Sequence, residues 1–428
     1  MLRKIVLIGI TALLFCACEQ PSVDPDKKGS VAEHMTKSAK RGVAFNFKYA
    51  SDLPLLSPYI SWDYNWGNTA DDLAAMWFDA NEMDYCPMCW NGNYNADKIR
   101  AYVAAHPKTK YLLAFNEPNL TDQARMTPAE AATIWAPVVA LAKELNLKLV
   151  SPAMNYGTLA GYSDPIKWLD EFFTQPGVSI DDIYAISVHC YMASANGVKN
   201  FIERFEKYNK PIWLTEFCAW DPVPGSVATQ MDYMCAVLNY LEQAPTVERY
   251  AWFIPRTGGK VDSPPYMQLL THDDPAELTE LGKIYCGFTS YDTKTYLSTS
   301  WIPAGSYMAQ QGVAPNLRPA NDAQLDGLEL PLVITNISPG MTMDYQVSLA
   351  TKPSTLNIRT AGYTDMMVRV YVDDKEIVTT AINRTGGQDN WTTTQCSISS
   401  AQQPAKGLHT VRIEWLSGNG SMSAFSFQ

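Results

Sequence analysis

Apolar and polar positions along the chain fall into two textures. Between residues 41 and 288, short apolar runs at 42–47, 59–66, 84–90, 111–118, 148–154, 184–191, 211–217 and 249–255 alternate with amphipathic stretches. Most of these runs carry no polar alternation, as expected for parallel strands covered by helices. Between them lie helix signals. Thr127-Pro-Ala-Glu130 is a capping box with proline at the first helical position, and residues 131–145 follow with apolar i, i+3, i+4 spacing. Residues 200–208 and 230–243 repeat that spacing. Eight strands separated by helices over about 250 residues predict an α/β fold, a (β/α)8 TIM barrel. An open doubly wound sheet is the alternative, but no glycine-rich phosphate loop follows the first run.

Beyond residue 288 helical periodicity stops. Short strand-like segments at 343–349, 354–359, 366–372, 407–415 and 423–427 take over, punctuated by Ser, Thr, Gly and Asn. This predicts a C-terminal all-β sandwich, jelly-roll-like, over 302–428, joined to the α/β unit at 41–288 by a linker at 289–301. The first residues have another character. Arg3 and Lys4 precede an apolar stretch at 5–15, which Phe15-Cys16-Ala17-Cys18 closes. That stretch is too short to span a membrane comfortably and predicts a signal segment at 1–17. Small residues before a cysteine resemble a bacterial lipobox, with Cys18 as the lipid attachment point and 18–40 as a flexible tether. The expectation is export and anchoring to a membrane through that lipid, on the outer membrane or cell surface, with the periplasmic face open. A plain signal peptide with a chance cysteine is the alternative.

Composition narrows the partners. In 428 residues, 33 basic against 44 acidic side chains give a net charge of -11, from which no basic stripe for nucleic acid can be assembled. The 46% hydrophobic and 18% charged fractions are those of a globular chain that makes a core. Twelve Trp and 23 Tyr are a generous aromatic supply, serving cores and also flat platforms for sugar rings. Of nine cysteines, Cys16 and Cys18 belong to the leader, leaving an odd seven. Cys86-Pro-Met-Cys89 has redox or zinc spacing, but no second pair or clustered histidine accompanies it. Small core residues are the simpler reading.

The chemistry-bearing residues sit at strand ends. In a barrel of this kind the C-terminal strand ends face the active site. Glu117 ends the fourth run in Asn116-Glu117-Pro118, and Glu216 ends the seventh in Leu214-Thr215-Glu216-Phe217. A single such glutamate is more often a salt-bridge or capping partner. Two on one face are what glycoside cleavage requires, one protonated to release the leaving oxygen and one ionised to attack the anomeric carbon. Burial is expected to raise the Glu117 carboxyl, while donors gather around Glu216. Asn116 is placed to bind a sugar 2-hydroxyl. Trp62, Tyr64, Trp66 and Trp90 cluster at the ends of the second and third strands, as stacking platforms or as filling for the barrel top. His189 and Tyr191 alternate on the sixth strand and share a side; hydrogen bonding to sugar or to Glu216 competes with a neutral core histidine. Trp252 on the eighth strand is expected beneath the sugar, with Trp220 a weaker candidate. No metal or organic cofactor is required by this chemistry.

Taken in order, RGVAFNF, WDYNW, PMCW, FNEPN, VSPAM, ISVHCY and IWLTEFCAW resemble glycoside hydrolase family 128 over residues 41–254. The resemblance implies a retaining β-1,3-glucanase barrel, with Glu117 as acid/base and Glu216 as nucleophile. Its substrate would be a laminarin-like β-glucan polysaccharide or oligosaccharide, cleaved by double displacement and endo-acting. The C-terminal region resembles a family 6 carbohydrate-binding module through Ile302-Pro-Ala-Gly-Ser-Tyr307, Ile337-Ser-Pro-Gly340 and Gly407-Leu-His-Thr-Val-Arg-Ile413. Pro303 and Gly305 stand where that module's acidic residues usually lie, which puts its calcium in doubt. Trp391 and Asn419 fall at loop positions where such modules bind sugar, and a purely structural sandwich is the competing reading. Two functional alternatives stay open: a hydrolase of another β-linked glucan or mannan, and a non-catalytic glycan-binding lipoprotein. A monomer is expected.

Overall fold

The computed structural model describes residues 38–273, 275–288, 295–298, 300–320, 323, 325 and 332–428. The expected signal segment, Cys18 and nearly all of the tether lie outside the described residues. Among the described residues, no helix is long and apolar enough to cross a membrane.

The N-terminal region is mixed α/β, built on eight parallel strands: β1 (Arg41–Ala44), β2 (Trp62–Tyr64), β3 (Asp84–Tyr85), β4 (Tyr111–Leu113), β5 (Lys148–Val150), β6 (Ile186–Met192), β7 (Ile212–Asp221) and β8 (Val247–Trp252). Six join in the order β3-β2-β1-β8-β7-β6, and β4 pairs with β5. Parallel bridges at Met88–Leu113, Val150–Ala185 and Met154–Val188 connect that pair to the strands on either side. Each of the eight predicted runs overlaps one of these strands.

Strand alternation sorts the side chains into two sets. Ala44, Trp62, Tyr64, Tyr111, Leu113, Val150, Ala185, Trp213 and Ala251 pack together on the inner face, small residues beside large ones. Val43, Leu112, Leu214, Phe217, Tyr250 and Trp252 belong to the other set, packed with the helices. At the N-terminal end of the strands, the Arg249 guanidinium lies over the rings of Tyr111 (4.5 Å) and Trp213 (4.7 Å) and pairs with Asp84.

The capping box forms as predicted, with Thr127 Oγ1 accepting from the Glu130 amide and Glu130 accepting from that of Thr127. The predicted single helix splits into Pro128–Thr133 and Trp135–Glu144. Pro137 explains the break, since it has no N–H to offer the Thr133 carbonyl. Helices Ala195–Glu203 and Val227–Gln243 begin earlier than the apolar spacing indicated, because Ser194 and Ser226 cap them. The tether also ends earlier than expected. The Lys40 ammonium donates to the carbonyls of Leu241, Glu242 and Ala244, neutralising the C-terminus of Val227–Gln243, and Ser38 bonds Glu242.

The C-terminal region holds two sheets, antiparallel but for one strand. One runs Leu317–Pro319, Leu332–Ile337, Gly420–Phe427, Thr355–Gly362, Gly387–Ser397; the other runs Ala309–Gln311, Thr342–Leu349, Gly407–Ser417, Met366–Val372, Lys375–Ile382. Tyr345 and Phe425, one from each sheet, meet with ring centroids 4.8 Å apart. The predicted linker is not wholly a linker, because Thr295–Leu297 pairs in parallel with Thr342–Leu349. Asn239 ties the two regions, its amide bonding both the N–H and the C=O of Leu317 at 3.0 Å. All seven described cysteines are free and buried, Cys86 and Cys89 included.

Candidate active site

Two backbone irregularities aim the two carboxylates. On β7, Leu214 pairs with Tyr250 and Phe217 with Trp252, so Thr215 and Glu216 together oppose Ala251 alone. This is a β-bulge, and it turns Glu216 to the inner side where strict alternation would send it toward the helices. Beyond β4, the chain passes Asn116 and reaches Glu117 with φ 46°, in the left-handed region that costs a non-glycine residue about 1–2 kcal/mol. Bonds from the Asn116 N–H to Trp90 O (2.9 Å) and from the Glu117 N–H to Ala153 O (3.1 Å) hold that turn.

The glutamates converge. One oxygen of Glu117, one of Glu216 and a ring nitrogen of His189 all lie within 4.8 Å of one another, and all three residues are buried. Glu216 Oε1 accepts from Tyr64 Oη and Trp66 Nε1, each at 2.7 Å, and Oε2 accepts from Tyr191 Oη. Glu117 Oε1 accepts from Asn155 Nδ2 at 3.0 Å and lies 2.9 Å from His189 Nδ1. The same Nδ1 is 3.3 Å from Glu216 Oε2, so one imidazole nitrogen bridges both carboxylates.

Electrostatics follow from that bridge. Burial disfavours a charged His189, but the carboxylates of Glu216 and Glu117 outweigh it and raise the imidazole above its ordinary 6.5. Burial alone would raise Glu117. The charge and hydrogen bond of His189, with the Asn155 amide, instead hold it below its ordinary value of 4.5, opposite to the expectation from burial. Burial and the nearby Glu216 push the hydroxyls of Tyr64 and Tyr191 well above 10, so both stay protonated donors. The donor set is also compact enough to hold a metal ion.

A cavity of about 660 Å³ opens above these groups, lined by Glu117 and Glu216 with Trp66, Trp90, Asn116, Tyr191 and Trp220 among the expected residues. Two expected contacts fail. Trp62 is fully buried two residues below Tyr64, its indole bonded to the Lys40 carbonyl, on the floor of the inner face. Trp252 is also fully buried and faces the helices, bonded to the Met267 carbonyl. Phe253, one residue on, faces the cavity instead. Tyr64 and His189 are buried and act on the carboxylates, without a surface for sugar. Asn116 donates to Gln123. Sequence reasoning missed Gln123, Asn155, Asp221 and Phe253. Asn155 stands just beyond the run at 148–154 and Phe253 falls within the run at 249–255, both strand-end positions like that of Glu117. In the β region, Trp391 is partly buried beside Ala320, Ala323 and Val333, with Arg318 and Arg359 over its ring, while Asn419 is exposed. Neither lines this cavity.

The family model described as glycosyl hydrolase catalytic core matches residues 42–285, more than half of the chain. Among solved structures, a family 128 (subgroup II) endo-β-1,3-glucanase from Pseudomonas viridiflava is 36% identical, covering 59% of this chain and 98% of its own, with a TM-score of 0.53. A second, from Sorangium cellulosum, is 35% identical, covers 58% and 97%, and has a TM-score of 0.51. Alkali-sensitive linkage protein 1 of Schizosaccharomyces pombe is 27% identical over 237 residues; the match spans 51% of this chain but only 39% of that protein.

Proposed function

The chain belongs to the glycosyl hydrolase catalytic core family and, within it, to glycoside hydrolase family 128, and from that premise we propose that it cleaves β-1,3-glucan with retention of configuration. Glu117 is the acid/base and Glu216 the nucleophile. The observation that carries this reading is the approach of both carboxylates and His189 to within 4.8 Å at the bottom of one cavity. Carboxyl groups about 5–5.5 Å apart suit a covalent glycosyl-enzyme, whereas inversion needs roughly 6.5–9.5 Å to admit a water. The two bacterial structures described above are endo-acting, and we extend that mode to this chain.

The steps follow from the hydrogen bonds. Glu117 gives its proton to the glycosidic oxygen as the bond from the anomeric carbon to that oxygen breaks, and a Glu216 oxygen bonds to the anomeric carbon. The leaving chain departs with the proton. Glu117 then takes a proton from water, whose oxygen displaces Glu216. Because His189 holds Glu117 ionised at rest, the catalytic proton reaches Glu117 along the 2.9 Å hydrogen bond from His189 Nδ1. Tyr64, Trp66 and Tyr191 hold the Glu216 charge before the first displacement and as it returns in the second.

The eight parallel strands form a (β/α)8 barrel, supported by a pairing or bridge between every neighbour from β1 round to β8 and back to β1. The β region is a glycan-binding sandwich, supported by its landmark resemblance and by the ring contact between its sheets. Cys18 carries a lipid, supported by its leader pattern. Early product from laminarin, read by proton NMR before mutarotation, tests the mechanism. The β-anomer is expected, and the α-anomer appearing first refutes it.

A further inference from the structure

Trp66 gives its indole N–H to Glu216 Oε1 at 2.7 Å from a strained backbone. Its φ is 62°, in the left-handed region that a non-glycine residue keeps only where its surroundings hold it. We propose that Asn65 and Tyr85 are positioning residues for the nucleophile, fixing the turn that aims the Trp66 indole at Glu216. This rests on the reading of Glu216 given above.

Alternation sends Asn65 to the side of the sheet opposite Trp66, toward the helices, where Tyr85 packs. Asn65 does not line the cavity. Its amide closes the turn instead. Oδ1 accepts from the Gly67 N–H at 3.0 Å, spanning Trp66 as an Asx turn, and Nδ2 donates to the Thr69 carbonyl at 3.1 Å. Tyr85 Oη donates to the same Oδ1.

Tyr85 is a fixed donor. Its ring is buried and stacks on Phe78, with centroids 6.3 Å apart and planes 8° from parallel. The turn is tied to the segment after β3 as well, because the Met88 N–H donates to the Gly67 carbonyl at 2.9 Å and Asn68 Nδ2 to the Met88 carbonyl at 2.9 Å. Hydrogen bonds therefore run from Tyr85 to Asn65, across the Trp66 turn, and from the indole to Glu216. Among the described residues, neither Asn65 nor Tyr85 bonds Glu117 or Glu216 directly. Without the Asn65 amide, Trp66 is free to return to negative φ, which swings its N–H away from the carboxylate.

A double-mutant cycle tests this. A dinitrophenyl β-laminaribioside has a leaving group good enough that hydrolysis of the glycosyl-enzyme limits kcat, the step in which Glu216 regains its charge. Trp66→Phe keeps an aromatic ring and removes the N–H, and should lower kcat roughly 10- to 150-fold, the worth of one hydrogen bond to a charged group. Asn65→Ala should reach the lower end of that range, about tenfold, with a dinitrophenolate burst under stopped flow. In the Trp66→Phe background it should change kcat by less than about twofold. Tyr85→Phe removes one hydroxyl, keeps the ring on Phe78 and should show the same dependence on Trp66, so the cycle can be closed even where Asn65→Ala fails to fold. Equal losses in both backgrounds, or wild-type kcat in Asn65→Ala or in Tyr85→Phe, overturn the positioning role alone. A Trp66→Phe enzyme with wild-type kcat instead sinks the reading of Glu216, and the proposal with it.

Discussion

Tyr64 offers the sharpest probe of the proposed nucleophile. Its hydroxyl is fully buried and gives Glu216 Oε1 a 2.7 Å bond, which Tyr64→Phe removes at nearly constant shape. A hydrogen bond to a charged group is worth about 1.5–3 kcal/mol. At about 1.4 kcal/mol per decade this is roughly 10- to 150-fold in rate. The step affected follows from where the charge goes. Glu216 loses charge as it bonds to the anomeric carbon and regains it as water displaces it, so the donor opposes the first step and assists the second. With a dinitrophenyl β-laminaribioside, whose leaving group makes the first step fast, kcat should fall by that factor. KM should fall at least as far, as glycosyl-enzyme accumulates, while kcat/KM holds or rises and a dinitrophenolate burst appears under stopped flow. Trp66 Nε1 still holds the same oxygen at 2.7 Å, so the thermal midpoint should barely move. An unchanged kcat, or kcat/KM falling as far as kcat with no burst, would refute the reasoning.

Further outcomes follow from neighbouring contacts. Glu117→Gln should cost about 10²–10⁴ in kcat/KM on laminarin, the usual worth of general acid catalysis, and far less on the dinitrophenyl glycoside, whose leaving group needs no proton; equal losses on both would remove the acid role. His189→Gln should move the basic limb of the kcat/KM–pH profile to lower pH, and an upward move would contradict the shared proton. Arg249→Ala removes the buried partner of Asp84, leaving it the exposed Lys110 ammonium at 2.9 Å, and should destabilise the fold by about 1.5–3 kcal/mol in urea titrations, against near-zero change if the pair is unimportant. EDTA should leave activity intact, whereas added Zn²⁺ should inhibit reversibly by occupying Glu117, His189 and Glu216; activation by the ion would mark a metal enzyme instead.

The strands were legible because burial on both faces leaves an unbroken apolar run, and all eight runs overlap a strand. Alternation placed His189 and Tyr191 on one side correctly, and both reach Glu216, because the extra residues at the two register shifts between β6 and β7 lie on β7. The same rule cannot see a bulge. Period two sends Glu216 outward, and only the two-against-one pairing opposite Ala251 returns it to the cavity. It also cannot set depth. Trp62, Tyr64 and Trp66 share a side, yet Trp62 fills the floor, Tyr64 reaches Glu216 from below and only Trp66 meets the cavity. Trp252 failed by one residue, because aromatic character suggested a platform while alternation beside Ala251 assigns the inner side to Phe253. The loop at 255–268 carries no periodic signal, and its order comes from Gln230, Gln268 and the Trp252 indole, contacts that no local pattern announces.

The lowered Glu117 carboxyl and its proposed duty as an acid are reconciled by counting protons across the group. His189 and Glu117 share a hydrogen bond beside Glu216, to which Tyr64 and Tyr191 are permanent donors, so the His189–Glu117 pair titrates as a unit. In its one-proton state the proton sits mainly on His189, and the reactive arrangement with the proton on Glu117 is reached along the same hydrogen bond. The apparent pKa for losing that last proton reflects both resting places together and is therefore never below that of Glu117 alone. Removing the imidazole removes a resting place, so the basic limb can only fall. Stability runs on the same bond. His189 is raised, so its contribution is complete below 6.5 and is lost as pH climbs through the higher folded value. Glu117 is lowered, so its contribution is complete above 4.5 and is lost as pH drops through the lower folded value. Between those two ordinary values the pairing stabilises the fold most, and that is where the proton rests on the wrong partner for catalysis. Bound substrate, by excluding water and disfavouring the ion pair, supplies the drive that moves it to Glu117.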